Sequence, residues 1–293
     1  MQKLRVEDLA LFCQVVEQGS LSAAARRHGT SLSSVSRRLR ELERHFGSQL
    51  LERTTRNLAI TDAGQALYQR STQVLLELES LGEQIREDQE PAGVVRLLVP
   101  SLLPELTFGS LGEFLDAHPK LHLEWETNDQ PDAEAFGYDI VVRVAPLPSS
   151  SLIARRLGAL RGQLAATPKY IATHGKPNRL SDLAAHRCLR FRGQQPQKSW
   201  ELLDRSGQLH HPELGPGFEA RSSRLLQAAL FQGVGVGLTE QRIVDHGVAA
   251  GKLVRLLPSY HSQEFVLYAL YPEASRKLRR VQVVVDWLAS HFA

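Results

Sequence analysis

The sequence predicts a multidomain α plus α/β protein. It comprises a small helical head closed by a β-hairpin, a long connecting helix, and a two-part α/β body. Three observations carry this expectation. Apolar residues in the first sixty positions recur at helical spacing and are punctuated by glycines at 19, 29 and 47. An a/d-type stripe, weakened only at Ser71, then runs from Leu67 to Ile85. From Val94 onward, short apolar runs alternate with helical segments.

The 293 residues suffice for two domains, and a 42% hydrophobic content builds ordinary cores. Cys13 and Cys188, far apart in sequence, make no disulfide framework and point to a reducing cytoplasm. The opening Gln2 to Asp8 is polar and charged, unlike a secretory leader, and no apolar run reaches the ~20 residues of a membrane span. The expectation is a cytoplasmic chain with no membrane partner.

A net charge of +3 hides a strong asymmetry. Between Arg26 and Arg56 stand eight arginines against three acids, which leaves the rest of the chain slightly acidic at −2. All eight are arginine, whose planar fork suits phosphates and guanine edges better than a lysine point charge. One end of the chain is therefore predicted to meet a polyanion.

Val6, Leu9, Ala10, Cys13 and Val16 form the inward stripe of a first helix that stops near Gly19. Ser20 or Ser22 caps a second, alanine-rich helix ending at Gly29. Ser31 caps a third, with Val35, Leu39, Leu42 and Phe46 turned inward. Two helices joined by a short glycine-containing turn make a helix-turn-helix. The first residues of its second helix contact base edges in the major groove. Here these are Ser31, Leu32, Ser33, Ser34, Ser36 and Arg37: small hydroxyls that permit close approach, then an arginine. Leu50–Arg53 and Leu58–Ile60 read as strands of a wing around residues 54–57. The hairpin makes the unit a winged helix-turn-helix, in which Arg53 and Arg56 would lie against the sugar-phosphate backbone or in the minor groove. Arg26 and Arg37 would also neutralise phosphates, and Thr55 is a further candidate contact.

The run GSLSAAARRHGTSLSSVSRRLRELERHFGSQLLERTTRNLAITDAG resembles the DNA-binding domain of LysR-type transcriptional regulators. The family's SxxAAxxL, SRxIxxLE and LGxxLFxRxxRxxxLTxAG patterns fall on Ser20–His28, Ser36–Glu43 and Phe46–Gly64. Two positions depart from the pattern. His28 stands where the family usually has an apolar residue, and Leu32 where a base-reading polar residue such as glutamine is frequent. A leucine there can meet a thymine methyl.

Thr61 caps the connecting helix, predicted to start near Asp62 and to run some 25 residues, or about 38 Å. Leu67, Ser71, Val74, Leu78, Leu81 and Ile85 supply its seam, which can pack on the chain's own first helix or on a second copy. The resemblance implies dimers through antiparallel helices, commonly assembled into tetramers. Gly82 and then Glu90–Gly93 end the rod in a hinge.

In the body, residues 94–99, 121–126, 138–143, 163–168, 217–221, 234–238, 253–257 and 265–271 read as strands in mostly parallel sheets. Residues 106–117, a segment capped by Ser181-Asp182, 223–232, 240–246 and a final run from Ser275 read as helices. Single strands crossing between two α/β halves create a cleft, and ligands gather there at the carboxyl ends of strands. Candidate effector contacts at those ends are Ser101, Thr127, Arg143, Thr167 and Ser222. Helix capping is the competing role for the hydroxyls, and a structural ion pair for Arg143. This half is similar to the family's regulatory domain, itself like periplasmic solute-binding proteins. The echoes are DIVVRVAPLPSSSLIARRL, AATPKYIATHGKP, DLAAHRCLRF, LLQAALFQGVGVGL and AAGKLVRLL.

The resemblance thus implies a DNA-binding domain at 1–61, a linker at 62–92 and an effector domain at 93–293. The last divides into 94–162 with 266–293, and 163–265. It implies a regulator whose partners are double-stranded promoter DNA, a small-molecule effector, further copies of itself and, if it activates, RNA polymerase. The glycines at 233, 235 and 237 follow a helix and lead into a strand, the wrong context for a dinucleotide loop. His210-His211 lack metal-ligand spacing. No nucleophile elbow or P-loop is present, so no catalytic residue, metal or cofactor is expected.

Overall fold

The computed structural model describes residues 4–53, 58–85, 90–130, 137–147, 152–192 and 199–292. The chain forms two compact units, 1–89 together with 272–281, and 90–271 together with 282–293.

The first unit opens with α1 (Val6–Gln18), α2 (Leu21–Arg27) and α3 (Leu32–Phe46). The helix boundaries follow local chemistry. Ser20 accepts a hydrogen bond from Ala23 N–H at 3.3 Å and Ser31 one from Ser34 N–H at 3.2 Å, each satisfying a donor at a helix start. Gly29 and Gly47, at φ of +61° and +65°, make the turns that follow α2 and α3. The buried side of α1 is broader than its predicted stripe. Leu11, Phe12 and Val15 are fully buried beside Leu9 and Cys13, while Val6 is exposed. The helix packs on α2, on α3 and on the connecting helix, so no single face describes it. In α3, Val35, Leu39 and Leu42 are buried as expected, but Phe46 is 42% exposed. It is the last helical residue, and the chain turns away at Gly47 directly after it.

Two short strands, β1 (Leu51–Arg53) and β2 (Leu58–Ile60), pair antiparallel and form the stem of the wing. Glu43 anchors that stem to α3 by accepting from Leu50 N–H at 3.0 Å. The connecting helix α4 (Asp62–Ile85) starts where Thr61 accepts from Gly64 N–H at 3.0 Å and donates to the Gln49 carbonyl at 2.7 Å. Glycine is required at position 64, because a Cβ there would lie 2.1 Å from the Leu50 carbonyl oxygen.

The α4 stripe divides into a covered part and an uncovered part. Tyr68 and Ser71 are buried as α4 packs on α1, and Tyr68 Oη donates to Glu17 at 3.4 Å. Further along, Val74, Leu78 and Leu81 are 44%, 46% and 52% exposed. These three apolar side chains, at spacings of four and three, face away from their own chain.

The second unit contains, in order, β3 (Gly93–Val99), α5 (Leu103–Thr107), α6 (Leu111–Ala117), β4 (Leu121–Thr127), β5 (Ile140–Val144) and β6 (Ile153–Ala166). Next come α7 (Pro168–His174), β7 (Cys188–Phe191), β8 (Leu202–Leu203), β9 (Leu209–His210) and β10 (Phe218–Ala220). The remainder is α8 (Ser223–Phe231), β11 (Val236–Glu240), α9 (Gln241–Ala249), β12 (Val254–Arg255), β13 (His261–Ser262), β14 (Glu264–Tyr271) and α10 (Arg279–Ser290), whose first residues belong to the first unit. The sheet order is β10-β7-β11-β6-β14-β5-β3-β4, with β12 also on β6, and β13-β8-β9 form a separate small sheet.

The main sheet is mixed rather than mostly parallel. β3 runs parallel to β4 and β5, and β7 parallel to β10 and β11. The 14-residue β6 is antiparallel to every neighbour. It pairs with β14 along Ile153–Arg161 and with β11 along Gly162–Ala165, so one strand serves both ends of the sheet. Its two faces feed separate cores. Leu164 and Ala166 join Tyr170, Leu183, Trp200 and Leu256, while Ala165 joins Leu189, Leu230, Val244 and Leu253. The far end has its own cluster of Leu98, Val141 and Leu270. The segment capped by Asp182 is a short 3-10 turn at Leu180–Ala185, in which that carboxylate accepts from Asn178 and Arg179 N–H.

Candidate functional site

Two surfaces gather the predicted site residues, one on each unit. On the first, the start of α3 is open. Ser31, Leu32, Ser33 and Arg37 are exposed, Ser34 and Ser36 half-buried, and Arg26 is exposed at the end of α2. Leu32 alone is 50% exposed. Ser31 is committed to capping, bonding Ser34 N–H and sitting 2.9 Å from the Ser33 hydroxyl. Arg38, one residue past this face, points inward and pairs with Asp8 at 2.6 Å. That ion pair braces α3 against α1 and removes one arginine from the positive surface. The backbone of Arg53 lies in β1, and its side chain, with Thr55 and Arg56, falls outside the described residues.

A β-sheet cannot offer this surface what a helix start can. The first turn of α3 presents unpaired N–H groups and the positive end of the helix dipole, flanked by arginines and small hydroxyls. The combination fits a phosphate backbone with a groove beside it.

In the second unit, two predicted effector residues meet around a third that sequence reasoning missed. Asp129, two residues past β4, reaches both the turn after β3 and the start of α8. Its carboxylate accepts from Ser101 N–H at 2.7 Å, Ser101 Oγ at 2.5 Å and Ser223 N–H at 2.7 Å. Ser101 Oγ accepts in turn from Arg224 N–H at 3.1 Å and lies 3.5 Å from Ser222 Oγ. Ser222 also caps α8 through Leu225 N–H at 3.4 Å. The neighbouring Gln130 donates to the Arg221 carbonyl at 3.4 Å.

The other predicted positions lie around or away from this knot. Thr127 ends β4 opposite Val99 and is exposed. Arg143 is buried on β5 and, by the register of Leu98 with Val141, sits level with Pro100 at the same strand ends. Thr167 is buried and caps α7 by accepting from Tyr170 N–H at 3.2 Å. The only sequence sign of Asp129 was an acidic residue in the loop after a strand. Its donors lie 28 and 94 residues away.

Beside the knot is a cavity of about 70 Å³. Leu102, Phe191, Leu226, Leu230 and Leu238 form its apolar wall, with Ser223, Gln227 and Thr239 as its polar lining. Among the described residues, Thr239 Oγ1 is buried with no hydrogen-bond partner.

Neither thiol is poised for chemistry. Burial pushes the Cys13 thiol up to about 12, despite a contact to the Thr72 hydroxyl at 3.8 Å, and pushes Cys188 up to about 11. Thiolates are the reactive form, so both stay protonated and inert near neutral pH. We expect a thiol-disulfide reagent to label neither cysteine of the native chain promptly and both once denaturant is added. Prompt labelling of the folded chain would contradict this burial. Among the described residues, no helix is long and apolar enough to cross a membrane.

Comparison with known proteins identifies both units. Residues 6–65 match the bacterial regulatory helix-turn-helix protein family of the lysR type, and residues 88–293 match the LysR substrate binding domain. The HTH-type transcriptional activator AaeR of Escherichia coli is 32% identical over 291 residues, covering 98% of this chain and 94% of that protein. The full-length Vibrio cholerae virulence activator AphB superposes with a TM-score of 0.61 at 27% identity, over 99% of this chain and all of that one. CrgA of Neisseria meningitidis, a LysR-type transcriptional regulator, gives 0.60 at 29% identity with 99% and 100% coverage. A DNA-reading head and an effector-binding body, matched end to end, make this chain a member of the LysR family of transcriptional regulators.

Proposed function

We propose that the chain reads a two-fold symmetric promoter site with two copies of its head and changes their geometry when an effector enters its body. The exposed start of α3, with small hydroxyls leading into Arg37, is the observation that carries this reading. Ser33, Ser34, Ser36 and Arg37 supply base contacts or shape readout. Leu32 meets a thymine methyl. Arg26, Arg37, Arg53 and Arg56 neutralise phosphates, and Thr55 is a further candidate contact.

Dimerisation supports this use, since half-sites about 34 Å apart require two heads. The exposed Val74, Leu78 and Leu81 on α4 are the surface for it. The effector lies between the two halves of the body, residues 94–162 with 266–293 and residues 163–265, near Ser101 and Ser222. It favours one arrangement of the halves, and α4 transmits that preference to the heads as a shift between assembly states. In an activating arrangement, RNA polymerase is the further partner.

Fluorescence anisotropy against DNA upstream of the chain's own gene tests the reading. Four arginines per head, doubled, predict a slope of log K against log salt of about −7. Arg37→Ala lowers affinity for the specific site by about 1–3 kcal/mol per half-site and narrows the gap to random DNA. An unchanged slope and affinity would remove Arg37 from the interface.

A further inference from the structure

We propose that Asp129 is a tethered occupant of the effector site, holding the position that the carboxylate of a small, apolar carboxylic acid takes when it binds. The inference rests on the effector site lying between the two halves of the body, as proposed above, and adds the chemical class of the ligand and its built-in competitor.

The Asp129 carboxylate is held by donors with no intrinsic preference for aspartate. Ser101 N–H, Ser101 Oγ and Ser223 N–H lie 2.5 to 2.7 Å from its oxygens, the lengths of charge-assisted bonds. Ser223 N–H belongs to the first turn of the nine-residue α8, where a negative charge is favoured. Any carboxylate placed there meets the same donors. The two oxygens also tie the segment after β3 to α8, so the contact clamps sequence-distant parts of the body.

The surroundings point to a molecule larger than an aspartate side chain. Ser223, which donates to Asp129, also lines the 70 Å³ cavity, and Leu102 directly follows Ser101. The walls beyond are leucines and Phe191, with Ser223, Gln227 and Thr239 as the polar residues of the lining. Asp129 ends at its carboxylate and brings nothing to fill that space. A free acid presenting its carboxylate at the same donors has a mostly apolar pocket for its body. The tether sets the exchange. Asp129 competes at high effective concentration, so the apparent affinity of the effector falls by the fraction of chains whose clamp is closed. Displacement releases Asp129 and the β4 end from α8, which couples ligand entry to the arrangement of the two halves.

Calorimetric titration of the full-length chain with benzoate, and with benzamide as its uncharged counterpart, tests the proposal. Asp129→Ala should bind benzoate at least about tenfold more tightly than the parent chain and show no such gain for benzamide. It should also melt at lower temperature and regain the loss as benzoate is added. Asp129→Asn, which keeps the shape and loses the charge, should move in the same direction by less, and it carries the comparison if Asp129→Ala does not fold. Equal benzoate affinity in parent and variants, an equal gain for benzamide, or no benzoate binding to any of them at soluble concentrations would overturn the proposal. Anisotropy with promoter DNA, measured alongside, separates this outcome from failure of the regulator reading. Loss of DNA binding by the parent chain sinks that reading alone.

Discussion

Leu78→Glu is expected to leave the protein monomeric and to weaken its binding to a two-half-site operator by about a hundredfold or more. Leu78 is the middle of three apolar residues on α4 that the chain leaves uncovered. A carboxylate at the centre of a helix-helix seam must be desolvated or must open the seam, and opening costs less than burying an unpaired charge. With the seam open, the second head no longer binds as an intramolecular event, and the avidity of two linked heads disappears. Sedimentation reads the mass and anisotropy reads the affinity. Leu78→Met, which conserves volume, should preserve both. A dimer that survives Leu78→Glu would place the self-association surface elsewhere.

The second large effect is on stability. Phe12→Ala should cost the head about 3–5 kcal/mol, enough to unfold most of it near physiological temperature. Phe12 is fully buried where α1 meets its neighbours, and the loss of its ring leaves a void that helices braced by the Arg38–Asp8 pair cannot close. The body has its own cores, so calorimetry should show an early transition for the head and an unmoved one for the body. Phe46→Ala is the matched control and should stay within about 0.5 kcal/mol of the parent. A large loss at Phe46 would favour the inward stripe expected from its spacing over its observed exposure.

That contrast shows where sequence was a sufficient guide. The third helix and the connecting helix were legible because each carries a long regular stripe with a cap at its start, Ser31 and Thr61. The first helix was recognised, but its buried residues were only partly identified, because packing on several sides destroys the one-face pattern. Most of β6 carries no clear strand signal in the sequence, because its burial alternates only at the start and both faces are covered at its end. The two-residue strands β8, β9 and β13 are too short to carry a pattern. At the candidate sites, the open face of α3 followed from local residue types. The Asp129 knot did not, since it exists only after segments distant in sequence have folded together.

The continuity of β6 sets how the body can respond to a ligand. A door swings on a loose pin, but here one strand itself passes from one side to the other, hydrogen-bonded to β14 along Ile153–Arg161 and to β11 along Gly162–Ala165. Relative rotation of the two sides therefore twists one continuous backbone where its partners change, between Arg161 and Gly162. Its restoring force grows with angle, as in a leaf spring. Such a body is built for small, graded strokes that return unaided when the load is removed.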